Sequence, residues 1–297
     1  MKESDPKVSI IILNWNQKEM TLKCLASLNK ISCPHYEIIL VDNGSTDGSV
    51  ETIKKEFPEV KIIENKRNLG VAGGRNVGIE YVQQKGADYL LLLDNDTTVH
   101  KDFITEMVKV GESDKKVGIL TGKIYFYSQP NKLWCAGGSL SLYRCNLSLI
   151  GYDEIDRGQY DDIRDVDHVA GCCLMIKKKV IDEIGILDQN FIEYFTEDTD
   201  WCLRAKKKGY KIIYVPKAKI WHHVIKKTSI STRHWYLKGR NLMWLMRKHA
   251  QLHHQIIFSF FFIVSSIKVL FRETKEGNLK QLFTMARGTL DAFKIKK

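Results

Sequence analysis

Two aspartates, Asp94 and Asp96, stand one residue apart where the apolar run Tyr89-Leu90-Leu91-Leu92-Leu93 ends. In an extended chain, residues i and i+2 point to the same side, so both carboxylates can face one ligand. Two hard oxygen donors side by side suit a divalent cation such as Mg²⁺ or Mn²⁺. A cation held there would in turn hold a diphosphate. The setting supports this, because a short unbroken apolar run reads as a central strand of a parallel sheet covered on both faces. Open α/β sheets bind their ligands just beyond the carboxyl ends of such strands.

Four further groups carry possible chemistry. Asp42 closes a second apolar run and opens the turn Asn43-Gly44-Ser45-Thr46-Asp47-Gly48. Its carboxylate can accept from a uracil or thymine N3–H or from a ribose hydroxyl. Equally, it can anchor an Asx turn, with Asp47 or Ser49 capping the next helix. Asn68-Leu69-Gly70-Val71-Ala72-Gly73-Gly74-Arg75 reads as a glycine-rich turn opening a helix. Backbone N–H groups and Arg75 there would suit a phosphate or sugar hydroxyls, unless the glycines serve only a loop that needs positive φ. The segment is neither a dinucleotide fingerprint nor a Walker loop.

Glu193, Glu197, Asp198 and Asp200 cluster at the start of a helical segment, Thr199 to Lys208. They are either a solvated first turn favoured by the helix dipole or the source of a general base. Finally, His222 or His223 could complete the cation site begun by Asp96, since imidazole and carboxylate together suit Mn²⁺.

The elements that must position these residues follow from periodicity. Val8 to Leu13, Tyr36 to Val41 and Val60 to Glu64 read as strands, with helices over Lys18 to Leu28, Ser49 to Phe57 and Asn76 to Gln84. Alternating strands and helices predict βαβ units and a mostly parallel sheet. The middle is β-rich over Gly118 to Tyr127 and Gly138 to Tyr143, with an acidic loop over 152–165. Val166 to Ile176 and Tyr214 to Trp221 read as strands, Lys178 to Gly185 and Trp235 to His249 as helices. The uncharged stretch Ala250 to Ile267 is interrupted by His253 and His254 and is expected to lie in a membrane interface, with a core or oligomer helix as the alternative, rather than span the bilayer.

Composition excludes several classes. With 44% hydrophobic and 27% charged residues in 297, the chain is an ordinary globular one. Its seven cysteines are scattered without a CxxC pair, which argues against a disulfide framework or a zinc site and for a reducing compartment. The polar start, Met1 to Lys7, predicts no signal peptide. Residues 201–297 hold 22 of the 46 basic residues and 3 of the 35 acidic ones. That asymmetry suggests an anionic partner for the C-terminal third, either a membrane surface or nucleic acid. No helix-turn-helix, zinc-finger or RNP-type signature supports nucleic acid.

In chain order, Asn14-Trp15-Asn16, Val41-Asp42-Asn43-Gly44-Ser45-Thr46-Asp47, Asn68-Leu69-Gly70, Asp94-Asn95-Asp96, Glu197-Asp198 and Trp221-His222 closely resemble the family 2 glycosyltransferases, in their rhamnosyltransferase-like branch. The resemblance covers residues 7 to about 248, including Tyr236-Leu237-Lys238-Gly239-Arg240-Asn241. It implies a GT-A fold, an α/β/α sandwich holding a nucleotide-sugar, here a UDP- or dTDP-sugar. By position it implies that Asp42 binds the base and Asp94 the ribose side. Asn14, Asn16, Asn43, Asn68, Gly70, Gly73, Arg75 and Asn95 would share that nucleotide-sugar site. Asp96 would ligate Mn²⁺ or Mg²⁺ with His222 as a further ligand, although the doubled His222-His223 leaves either possible. Asp198 would be the catalytic base, supported by Glu197. Arg75 departs from the family pattern, where a small or amide residue is more usual, and this bears on the sugar pocket.

The implied reaction is an inverting transfer through an oxocarbenium-like transition state, with the cation easing departure of the nucleoside diphosphate. Such pathways build surface polysaccharides on polyprenyl-diphosphate-linked acceptors, so the protein is expected on the inner face of the cell membrane. Residues 1–225 would form the catalytic domain. Residues 226–297 would form a basic, partly apolar helical extension resting on the membrane through Arg247, Lys248, Lys268 and Arg272 beside Phe258, Phe260, Phe261 and Phe262. Three rivals fit less well. A sugar nucleotidyltransferase would carry a GxGxR-like loop where Asn14-Trp15-Asn16-Gln17 stands. A non-catalytic sugar-binding or membrane scaffold has no need of Asp96, Asp198 and His222 together. Nucleic-acid binding by the basic tail would show salt-sensitive duplex affinity.

Overall fold

The computed structural model describes residues 5–144, 146–192, 196–224, 231–258, 260 and 279–296. The first half alternates as expected: β1 (Val8–Asn14), α1 (Lys18–Leu28), β2 (Tyr36–Asp42), α2 (Ser49–Glu56), β3 (Lys61–Glu64), α3 (Gly70–Lys85) and β4 (Tyr89–Asp94). Then come β5 (Thr97–Val99), α4 (Phe103–Ser113), β6 (Val117–Phe126), β7 (Gln129–Cys135), β8 (Gly138–Ser141), β9 (Asn146–Leu149), β10 (Arg164–Asp165) and β11 (Cys173–Lys177). The chain closes with α5 (Lys178–Ile184), α6 (Glu197–Lys207), β12 (Lys211–His222), α7 (Thr232–His249) and a further helix, Leu279–Asp291.

One large sheet runs β10-β12-β6-β11-β4-β1-β2-β3, with β5 pairing β12 and β7 pairing β6; β8 and β9 form a separate hairpin. Strands β4, β1, β2 and β3 are mutually parallel, in register Val8↔Tyr36 and Val8↔Tyr89. Strand β11 enters antiparallel between β4 and β6, so the sheet is mixed. Both faces are covered, which is why the strand sequences are apolar without alternation. Ile10, Ile12, Leu91 and Leu93 join one buried layer with Leu25, Phe103 and Met107. Their neighbours Ile11, Leu90 and Leu92 join the other with Ile79 and Trp201.

Two expectations change. The segment read as a glycine-rich turn is helical from Gly70 onward, and only its first glycine has positive φ, at 74°. Gly74 and Gly78 serve packing instead: a Cβ there would lie 2.5 Å from Leu13 Cδ1 and 2.8 Å from Ile11 Cγ2. The strand expected over 166–176 is short, beginning only at Cys173, because residues 167–172 form a loop over the sheet end. Strand β12 also departs from regular pairing, with a register shift against β6 between Val215 and Lys219. The six described cysteines are buried free thiols; Cys145 lies outside the described residues.

Helix α7 docks on the body through polar contacts. Trp244 Nε1 donates to Asp188 at 3.0 Å, and Arg240 donates to the Asn190 carbonyl at 2.6 Å. Lys248 reaches Asp188 and Asp200, each at 2.7 Å, and His249 meets Asp200 at 2.7 Å. The helix Leu279–Asp291 crosses α7 at backbone contact, since a Cβ on Gly239 would lie 2.3 Å from the Met285 carbonyl oxygen. Arg247 donates to the carbonyls of Ala292 and Ile295. Arg247 and Lys248 are therefore occupied inside the protein, which corrects their assignment to a membrane-facing surface. Lys268, Arg272, Phe261 and Phe262 lie outside the described residues, as does Glu193. Among the described residues, no helix is long and apolar enough to cross a membrane.

Candidate active site

Backbone pairing assembles the end formed by Asp94, Asp96 and His222. Strand β5 pairs antiparallel with β12 in register Thr97↔His222, which sets His222 beside the turn after β4. His222 Nε2 lies 3.1 Å from Asp96 Oδ1. That oxygen is buried yet has no hydrogen-bond partner among the described residues, so nitrogen and oxygen converge without being aligned on one another. Ligand atoms of Asp94, Asp96 and His222 all lie within 4.8 Å of one another. Two carboxylates and an imidazole fit Mn²⁺ or Mg²⁺. Burial opposes charge on His222, but Asp96 and then Asp94 outweigh it and raise its pKa. His223 faces elsewhere, its ring stacked on Tyr127 at 3.4 Å between centroids, and burial lowers its pKa.

The opposite end is built on the first turn of α6. Thr196 caps it with φ of 73°, a strained conformation for a β-branched residue. Glu197 and Asp200 are 4% and 0% exposed, so this is no solvated turn. Asp198 accepts from the Gly171 N–H at 2.8 Å and from its own neighbour, the Thr199 N–H, at 2.6 Å. Arg75 is buried and spans the two ends. Its Nη2 meets Asp94 Oδ1 at 2.5 Å and the Gly171 carbonyl at 2.9 Å, while Nη1 lies 3.4 Å from Glu197 Oε1. Burial and the adjacent Asp198 push Glu197 up to about 8 against the pull of Arg75. Arg75, expected to suit a phosphate or sugar hydroxyls, has three protein acceptors for its guanidinium and also lines a cavity.

Several predicted ligand residues form the polar frame behind the site. Asp42 accepts from Asn14 Nδ2 and Ser45 Oγ on one oxygen and from the Gly44 and Ser45 N–H groups on the other. A carboxylate has about four acceptor positions, so Asp42 anchors its turn and has none left for a base, which corrects that assignment. Asn14 Oδ1 accepts from Thr21 and Asn95, joining the turns after β1 and β4. Asn43 donates to Asn68 Oδ1 and the Gly70 carbonyl. Asn16, at φ of 51°, accepts from the Thr46 N–H.

Two cavities meet at Val71. The smaller, about 400 Å³, brings together Arg75, Asp94, Glu197, Asp198 and His222. The larger, about 790 Å³, is lined by Asn43, Asn68, Gly70 and Gly73. Asn14, Asn16, Asp42, Asn95 and Asp96 line neither. Sequence reasoning missed Trp134, His168 and Gly171 in the smaller cavity and Trp15 and Arg233 in the larger. The polar pair Asp167-His168 and the glycine at 171, interrupting an apolar run, were the available signal.

A parallel half-sheet ending in the cation group, extended by a mixed half that carries the carboxylates of α6, is the GT-A fold of nucleotide-sugar-dependent transferases. The profile of Glycosyl transferase family 2 matches residues 9–185, and the chain belongs to that family and is a glycosyltransferase. It is 25% identical over 206 residues to the low-salt glycan biosynthesis hexosyltransferase Agl10 of Haloferax volcanii, across 69% of this chain and 63% of that protein. It is 24% identical over 299 residues to the dTDP-rhamnosyl transferase RfbF of Shigella flexneri, across 96% and 94% of the two chains. The mannosyltransferase PcManGT of Pyrobaculum calidifontis, solved with GDP-Man and Mn²⁺, has the same fold, with a TM-score of 0.60 at 14% identity over 96% of this chain and 87% of that one.

Proposed function

We propose that the protein transfers a sugar from a nucleoside-diphosphate sugar to an acceptor hydroxyl with inversion at the anomeric carbon. The observation that carries this is one cavity that Asp198, Asp94 and His222 line together. Asp198 takes the proton from the attacking hydroxyl; the Gly171 N–H orients its carboxylate. With no further nucleophile required, a single displacement inverts the centre. A divalent cation held by Asp94, Asp96 and His222 would neutralise the charge developing on the departing diphosphate. The larger cavity, with Trp15 53% exposed at its wall, has the room and the aromatic surface for the nucleoside of a UDP- or dTDP-sugar.

The acceptor we assign is a polyprenyl-diphosphate-linked glycan of surface-polysaccharide synthesis, met at the inner face of the cell membrane. The dTDP-rhamnosyl and glycan-biosynthesis relatives support the pathway class. The excess of 22 basic over 3 acidic residues after residue 200 supports the membrane. On this reading residues 1–225 are catalytic and 226–297 an extension clamped to them by Asp188 and Asp200. The test is nucleoside-diphosphate release from UDP-, dTDP- and GDP-sugars with Mn²⁺ and a detergent extract of host lipids. Release from one donor, lost in chelator and in Asp198→Asn, supports the proposal. Release that persists in the mutant overturns the role of Asp198.

A further inference from the structure

We propose that His168 hydrogen-bonds a hydroxyl of the pyranose held in the smaller cavity and so helps decide which sugar is accepted; this rests on the transferase reading above. His168 is 4% exposed and lines that cavity. Both its ring nitrogens are buried without a hydrogen-bond partner among the described residues. A neutral imidazole carries one donor and one acceptor, and leaving both unmet inside a protein is costly. Each hydroxyl of a sugar is itself a donor and an acceptor, so a hydroxyl in the cavity can meet a nitrogen of this ring.

The ring is deliberately seated. The Gly138 N–H donates to the His168 carbonyl at 2.9 Å, pinning the loop to the β8–β9 hairpin. A Cβ on Gly138 would lie 2.3 Å from His168 Nε2, so a side chain there would displace the imidazole. Around it the same cavity wall is apolar, with Trp134, Leu147 and Leu149. An aromatic and aliphatic wall beside a single polar group matches a sugar ring, whose C–H face is apolar and whose rim is polar. Asp198 lines the same cavity, so a ring bound there shares its space with that carboxylate.

The sugar is the donor's or the acceptor's, and kinetics separate the two. His168→Phe keeps an aromatic ring but removes both nitrogens; His168→Gln restores a donor and an acceptor. Full-length protein would be assayed for donor hydrolysis without acceptor, and for transfer with the host lipid extract. The expected result is a KM at least tenfold higher in His168→Phe with kcat little changed, largely recovered in His168→Gln. A rise in donor KM during hydrolysis assigns the donor's sugar; a rise only in transfer assigns the acceptor's. Unchanged KM values in His168→Phe overturn the inference. So does equal loss in both variants with equally lowered Tm, which marks a structural role. A wild-type protein that releases no nucleoside diphosphate from any donor overturns instead the transferase reading beneath it.

Discussion

Arg75 and Asp198 both hydrogen-bond the backbone of Gly171. The Gly171 carbonyl accepts from Arg75 Nη2 at 2.9 Å, and the Gly171 N–H donates to Asp198 Oδ2 at 2.8 Å. Arg75 also holds Asp94, so the loop before β11 ties Asp94 to Asp198.

Removing Arg75 should therefore cost stability as well as rate. Arg75→Met leaves Asp94 without its cation, and breaking a pair with one buried partner costs up to roughly 3–5 kcal/mol. Chemical denaturation measures this; a loss below about 1 kcal/mol would show that the pair is well solvated.

Asp198→Asn retains an oxygen for the Gly171 N–H but no longer takes a proton. We expect kcat to fall by about 10²–10⁴, the usual contribution of a general base. Calorimetry should find nucleotide affinity unchanged, and a weakened affinity would assign Asp198 to binding instead.

The cation group should be visible without turnover. Saturating Mn²⁺ at a hundred times its Kd should stabilise the fold by about 2.7 kcal/mol. Thermal shift measures the gain, which should vanish in Asp96→Ala and His222→Ala. An equal gain in those variants places the ion elsewhere.

Acid should loosen the docking of α7. Asp200 has no exposed surface; burial opposes its charge, but the His249 bond, Arg204 and Lys248 hold its pKa down at about 2 against an ordinary 3.8. A carboxylate depressed on folding contributes stability above its unfolded pKa and loses it as pH falls through the folded one. The loss, about 2 kcal/mol, thus spans the interval from about 4 to about 2. Burial also depresses His249 below its ordinary 6.5, so its protonation pulls the same way, starting at milder acidity. Urea midpoints against pH should show the lower step in the wild type and not in Asp200→Asn.

Leu252, Ile256 and Phe260 recur at every fourth residue and are 72%, 63% and 67% exposed. Such spacing puts them on one helical face. Leu252→Asp combined with Ile256→Asp should release the protein from anionic vesicles in sedimentation. Unchanged binding would shift the contact elsewhere on the basic C-terminal third.

Strands buried on both faces announce themselves, and β1, β2 and β4 were legible for that reason. The paired acids of α6 and the Asp94–Asp96 step were legible as chemistry. Their connection was not, because Arg75 reaches both only after α3 packs on the sheet. The glycines of α3 misled for a physical reason: a residue without Cβ means positive φ at Gly70 but close approach at Gly74, and sequence alone does not distinguish the two. Asp42 read equally as ligand or turn anchor until its four donors were in place. Asp167-His168 stood out as a polar pair in an apolar run, but the seat of the imidazole emerged only with Gly138 against it. The positive charge of α7 was plain, but its partners Asp188 and Asp200 emerge only from the fold.

The irregular stretch between Val215 and Lys219 has a bearing on the doubled histidine. In a strand, adjacent side chains face opposite ways, and a slip of one residue exchanges them. The length of that excursion therefore acts as a vernier, choosing which imidazole meets Asp96 and which lies on Tyr127. Shortening it by a single residue would bring His223 where His222 stands, whereas lengthening it would bring Trp221 there, so the doublet gives this strand a spare setting in one direction that a solitary histidine would lack.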